Sequence, residues 1–323
     1  MKTFPCFAPR RWLVLSLLVA LPAGLLAQGG GGGKEQPANL KHATERMRAG
    51  ETAAAIAAVR KELAINPTSN AAANLLDVLG ATAEARAVFQ KRIDTAPDAA
   101  AKAAAQRAMA MSFAFDGDSA STVKFEEQVI AYWVTRETAE PQNAFYQQGE
   151  MANEAARVCL DNGDFDAAEH WYRRGTELGL KEPEPKTHPA SLWHYRLAHA
   201  LGRLAARRGD KAGAQKQIAA ARQALDSDPK MAAQQERFFP YLVGYVALYT
   251  GDLDTAEQEL TKMLGVSGNQ NDPFMTCLLA MTHEKLGHAD RAKELYRKAY
   301  DLATAHNPPA AYARPLARKK LGL

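Results

Sequence analysis

The chain has 323 residues, of which 47% are apolar and 24% charged, and its formal charge is +4. That is an ordinary soluble composition with ample material for a core, and length alone suggests about two domains. Lys2, Arg10 and Arg11 supply three of the positive charges, and the first 27 residues hold no acid, so the remainder carries only +1. This near-neutral balance gives no electrostatic case for binding nucleic acid.

Residues 1–27 read as a secretory signal. Lys2, Arg10 and Arg11 form a basic start, Trp12 to Leu21 an apolar stretch, and Leu25-Leu26-Ala27 a small-residue cleavage site. An uncleaved anchor is the alternative. Residues 12–27 number 16 and include Pro22, which is short for a span of roughly 20 residues. No cysteine follows the apolar stretch near the cleavage point, which argues against a lipoprotein. The chain is therefore expected to be exported and, after cleavage, periplasmic or extracellular. Residues 28–35 contain five consecutive glycines, Gly29–Gly33, and read as a flexible tether. Beyond Cys6, only Cys159 and Cys277 remain. Both lie on apolar helix faces, far apart along the chain, and are expected to be free, buried and inert.

From residue 36 to residue 304 one pattern recurs. In a 34-residue frame starting at Pro273, Ala280 takes position 8, Gly287 position 15, Ala292 position 20, Tyr296 position 24 and Ala299 position 27. Frames starting at Gln36, Asn66, Gly149, Tyr195 and Arg237 repeat it, with Ala55, Ala85, Ala168, Ala214 and Ala256 at position 20. A degenerate copy starts at Ala103 and places Thr122 there. Gly-Asp corners recur at 117–118, 163–164, 209–210 and 251–252. The glycine would end one helix in a left-handed conformation and the aspartate would cap the next. Small side chains allow two antiparallel helices to approach closely, and the large residue at position 24 fills the gap beside them. Residues 229–238 are expected to form a short extra turn of helix before Pro240, which can occupy the first turn of its own helix. Residues 182–189, rich in proline, read as an ordered or mobile linker. Residues 305–323 read as a C-terminal extension ending in a polar capping helix.

These registered positions resemble the tetratricopeptide repeat. The resemblance implies an all-α fold, a right-handed helical-repeat solenoid of antiparallel helix pairs, with about seven pairs plus the C-terminal capping helix. It further implies a non-catalytic adaptor or scaffold that holds a protein or peptide partner on its concave face.

No catalytic constellation competes with that expectation. The stretch HEKLGH places His283 and His288 at i,i+5 with Gly287 between them, the wrong spacing for two zinc ligands on one helix face. The chain has no GxSxG, no phosphate-binding loop and no dinucleotide fingerprint. No catalytic residue, metal or cofactor is therefore assigned. An envelope hydrolase on a helical frame, or a solenoid binding a glycan or small ligand, are the alternatives. The first would require clustered, perturbed acids in a closed pocket.

Carried over residue by residue, the family's groove positions fall on Glu150, Asn153, Arg157 and Asp161 in one copy. They fall on Arg196, His199, Arg203 and Arg207 in the next, then on Phe238, Tyr241, Tyr245 and Tyr249. The last copy contributes Phe274, Cys277, Met281, Glu284 and Lys285. Arginine and tyrosine are frequent binding anchors. The arginines are expected to stay solvated or to hold an anion, since full burial of arginine is rare. The tyrosine stripe at i,i+4,i+8 fits either core packing or a groove wall.

Overall fold

A computed structural model describes residues 36–323; the expected signal and tether lie outside the described residues. Seven antiparallel pairs follow one another. They are α1 (Ala38–Arg48) with α2 (Thr52–Ile65), α3 (Asn70–Leu79) with α4 (Thr82–Asp94), and α5 (Ala99–Phe115) with α6 (Ser119–Val134). Next come α7 (Pro141–Asn162) with α8 (Phe165–Leu180), then α9 (Ala190–Arg207) with α10 (Lys211–Ser227). After α11 (Pro229–Gln235) and a 3₁₀ turn (Glu236–Phe238), α12 (Phe239–Thr250) pairs with α13 (Leu253–Gly265), and α14 (Pro273–Lys285) with α15 (Ala289–Leu302). A last helix, α16, spans Pro308–Leu321. The described residues contain no strand. Each pair packs on the next, which is the helical-repeat solenoid.

The corners follow from local chemistry. Gly50, Gly80, Gly117, Gly163, Gly209, Gly251 and Gly287 all take positive φ, between 74° and 87°. A residue with a Cβ would be strained there. In four corners an aspartate then caps the second helix. Asp118 accepts from Ser121 N at 2.9 Å, Asp164 from Ala167 N at 3.4 Å, Asp210 from Gly213 N at 2.8 Å and Asp252 from Thr255 N at 3.3 Å.

Packing within the pairs rests on the small residues. Ala55, Ala85, Ala168, Ala214, Ala256 and Ala292 are all buried, and so is Thr122 in the degenerate copy. Thr122 is tolerated because its hydroxyl donates to the carbonyls of Asp118 (2.9 Å) and Ala110 (3.2 Å). A second device lies between α7, α8 and α9, where Trp193 is fully buried. Its indole fills the space beside Gly149 and Gly179; a Cβ on Gly179 would come within 2.0 Å of the ring.

The segment 182–189 is ordered. Buried Glu182 accepts from the backbone N–H groups of Thr187 and His188, and the His188 ring stacks on Tyr146 at 3.8 Å. Cys159 and Cys277 are free and buried. Burial pushes the Cys159 thiol up to about 12 and the Cys277 thiol further upward.

The C-terminal helix does more than cover the last pair. It packs on α15 and α14, and also on α7, α5 and α3. Apart from its predecessor α15, these are all first helices of their pairs. The C-terminal segment therefore lies along the inner face of the solenoid and ties its end to its second pair.

Candidate partner-binding site

The inner face is built from α7, α9, α12 and α14, as the frame implies, and its side chains engage one another. Arg203 is only 7% exposed. It donates to Tyr241 Oη at 2.9 Å, to Tyr172 Oη at 3.3 Å and to the His199 carbonyl at 3.4 Å. The expectation that this arginine stays solvated is corrected. Each of its three nitrogens makes a hydrogen bond, and the rings of Tyr172 and Tyr241 lie within 6 Å of its guanidinium, so aromatic faces stand in for water.

Arg157 stacks over Phe274 at 4.5 Å and approaches Asp161 to 3.8 Å. Arg207 lies over Tyr249 at 4.9 Å and donates to Tyr245 Oη at 3.4 Å. Asp161 thus sits among three arginines, yet burial outweighs their attraction and pushes its carboxyl up to about 6. His199 is held well below its ordinary value, first by burial and then by Arg203, so it is neutral at pH 7.

The polar half is also internally paired. Arg196 forms an ion pair with Glu150, and its guanidinium lies over Trp193 at 5.3 Å. Asn153 is half-buried and occupies the space that Gly175 leaves open. In the aromatic half, Tyr241, Tyr245 and Phe274 are buried and Tyr249 is half-buried. Their rings meet in sequence, Tyr241 with Tyr245 and Phe274 at 5.9 Å each, and Tyr245 with Tyr249 at 4.7 Å. The stripe is thus core packing that also lines the inner face. Phe238 falls in the 3₁₀ turn ahead of α12, where its carbonyl faces His199 Nε2 at 3.4 Å. Lys285 stands apart, exposed at the end of α14.

An open groove is not what these residues form, because α16 supplies an occupant. Tyr312 meets the Phe274 ring at 4.8 Å and donates to Met281 Sδ at 3.5 Å. Arg314 is buried and donates to the carbonyls of Val78, Tyr300 (3.0 Å) and Ala303 (3.3 Å), and to Tyr300 Oη at 3.1 Å. Ahead of the helix, His306 Nε2 lies 2.8 Å from Asp77 Oδ2, between the rings of Phe89 and Phe115. Tyr312, Arg314 and His306 were not legible as site residues, since they lie outside the repeated frame. Tyr172 was legible only as the large residue at position 24.

Two clefts flank the C-terminal helix. One, of about 280 Å³, lies between it and the ends of α5 and α7, and Asp161, Ala311, Tyr312 and Pro315 line it. The other, of about 410 Å³, is bounded by Asp77, Gly80, Asp116, Tyr300, Arg314 and Arg318. At the far corner His283 and His288 meet Nδ1 to Nδ1 at 3.2 Å. Among the described residues no group of three histidine, cysteine or acidic side chains could hold a metal ion. None of the described helices is long and apolar enough to cross a membrane.

A tetratricopeptide repeat family model matches residues 276–306, which span α14, α15 and the turn that follows. No curated protein matches the chain in sequence. Among solved structures, a tetratricopeptide repeat protein from Parabacteroides merdae shares 13% identity with a TM-score of 0.44, over 88% of this chain and 96% of that one. The tetratricopeptide domain of P58(IPK) also shares 13% identity, with a TM-score of 0.32 and 88% of each chain covered. The repeat assignment accordingly stands on the matched segment and on the geometry of the corners. The chain is a helical-repeat solenoid whose seventh pair matches the tetratricopeptide repeat.

Proposed function

We propose that the chain is a non-catalytic adaptor of the cell envelope that holds a protein partner on the inner face of its solenoid. One observation carries this reading: the inner face already accommodates a polypeptide helix, its own α16, through aromatic, carbonyl and small-residue contacts. A surface shaped to seat one helix can seat another. Export rests on the basic, apolar and small-residue order of residues 1–27.

The catalytic alternative needs paired acids at a pocket. Asp161 lines a cleft and has a raised pKa, but arginines and tyrosines surround it, and a lone carboxylate is no acid–base pair. The test is affinity capture from the protein's own envelope with residues 28–323. A parallel capture uses Arg157→Gln and Arg207→Gln together, both half-buried, with circular dichroism to verify the fold. A specific protein lost on substitution is the expected result. Unchanged recovery removes the inner-face assignment, and recovery of no specific protein from either chain removes the adaptor reading.

A further inference from the structure

The contacts of α16 are those of a helix laid into a seat built by other elements. It reaches first helices from both ends of the solenoid, α3, α5 and α7 on one side and α14 on the other. Its most buried positions are nonetheless small. Its fully buried apolar positions are Pro308, Pro309, Ala310, Ala311, Ala313 and Ala317, with Tyr312, Leu316 and Leu321 half-buried beside them, and alanine removes far less apolar area from water than leucine or phenylalanine. Open volume remains beside the helix, and Ala311 lines the smaller of the two clefts.

Arg314 anchors the helix, whereas a proline interrupts it. Arg314 is buried against neutral acceptors only, and among the described residues no carboxylate lies within ion-pair distance of it. Three carbonyls, Tyr300 Oη and the face of the Tyr300 ring at 4.1 Å take the place of an ion pair. Pro315 lies inside the helix and lacks the N–H that would bond back to Ala311. The chain thus places a proline-interrupted helix, with alanines at its most buried positions, in a seat with open volume beside it.

We infer that the seat under α16 is the partner site, and that α16 is a built-in placeholder which a partner helix displaces. The partner fits as an amphipathic helix of about four turns that keeps a donor where Arg314 stands and an aromatic where Tyr312 stands. It carries larger aliphatic side chains where α16 has alanines, above all at the place of Ala311, which lines the smaller cleft. The segment ahead of the helix stays pinned by His306 between Phe89, Phe115 and Asp77, so α16 swings out without releasing the whole C-terminus. This inference deepens the adaptor reading and rests on it.

The experiment uses the chain from residue 28 to 323 and a fluorescent peptide of residues 305–323. Fluorescence anisotropy is measured with the unsubstituted chain and with Tyr312→Ala/Arg314→Ala, whose own helix is loosened. The substituted chain is expected to bind the peptide at least tenfold more tightly. A peptide carrying Ala311→Leu is expected to bind at least threefold more tightly again. Equal binding by both chains, or weaker binding of the leucine peptide, overturns the inference. Should the double variant fail to fold, hydrogen exchange on the unsubstituted chain decides. Amides of residues 310–321 are expected to exchange at least tenfold faster than those of α14, and equal rates overturn it. If envelope capture recovers a partner while no peptide binds, the adaptor stands and the displacement falls. If peptide binds while capture recovers nothing, the exchangeable seat stands and the adaptor falls.

Discussion

At the level of single residues, the position that departs most from its repeat is Glu126. It takes position 24 of the copy that starts at Ala103, where Val59, Phe89, Tyr172, Leu260 and Tyr296 fill the same slot elsewhere. Glu126 is fully buried, and neither carboxylate oxygen has a hydrogen-bond partner among the described residues. Arg107, the nearby cation, is spent on Glu154 at 2.7 and 3.0 Å. Burial first, and Glu154 second, raise the Glu126 pKa well above the usual carboxylate range, against the pull of Arg107. The folded state therefore keeps a proton that the unfolded chain releases near its ordinary value of about 4.5. Between those two pKa values folding takes up a proton, so this site's contribution is most favourable below pH 4.5 and is lost as pH rises through the folded value. Glu126→Leu restores the apolar filler. It is expected to stabilise the chain by about 1–3 kcal/mol at pH 8, and by less at pH 5. Urea unfolding at the two pH values measures this, and a gain that does not grow with pH would contradict it. The frame made the anomaly readable, since the copy with Thr122 at position 20 is also the copy with a carboxylate at position 24. Its burial was not readable, because that depends on how α5 and α7 close over α6.

The helices and their corners are the part most fully written in the sequence. Glycine at position 15 and aspartate at 16 act through contacts within three residues, so no tertiary information is needed to place them. The third pair shows this: its small residue at position 20 is missing, yet Gly117 and Asp118 still end α5 and cap α6. Pro240 sits in the first turn of α12, and residues 229–238 form α11 and its 3₁₀ turn, for the same local reason. The logic extends to a corner that lacks the cap. His288 follows Gly287 at the start of α15, with φ −84° and ψ 66°, and makes no capping bond. Asp252 has nearly the same backbone, φ −85° and ψ 77°, and does cap its helix. His288→Asp should therefore bond to Arg291 N, place an anion at the helix start and raise stability by about 1 kcal/mol. An unchanged or lower denaturation midpoint would show that His288 earns its place through His283 instead.

For the whole molecule, the solenoid could be inferred from its repeats, but its closure could not. A repeat array is quasi-one-dimensional, and each pair reports only on its neighbours. The contacts that close this one join residues more than two hundred positions apart, such as Asp77 with His306 and Val78 with Arg314. Nothing periodic marks them. Asp77 is 2% exposed and accepts from Ser112 Oγ at 2.8 Å, with His306 Nε2 also at 2.8 Å. Removing His306 leaves a buried carboxyl with one partner fewer and opens a space between Phe89 and Phe115. His306→Ala is expected to cost about 2–3 kcal/mol in the native background. In an Asp77→Asn background, where no buried charge is orphaned, the same change should cost at least about 1 kcal/mol less. A double-mutant cycle by urea unfolding reads that coupling directly. Strictly additive costs would mean that the two ends of the solenoid stand side by side without sharing stability. A measured coupling would mean that the second pair and the C-terminal segment fold as one unit, so that a helix exchanging at α16 is felt at α3.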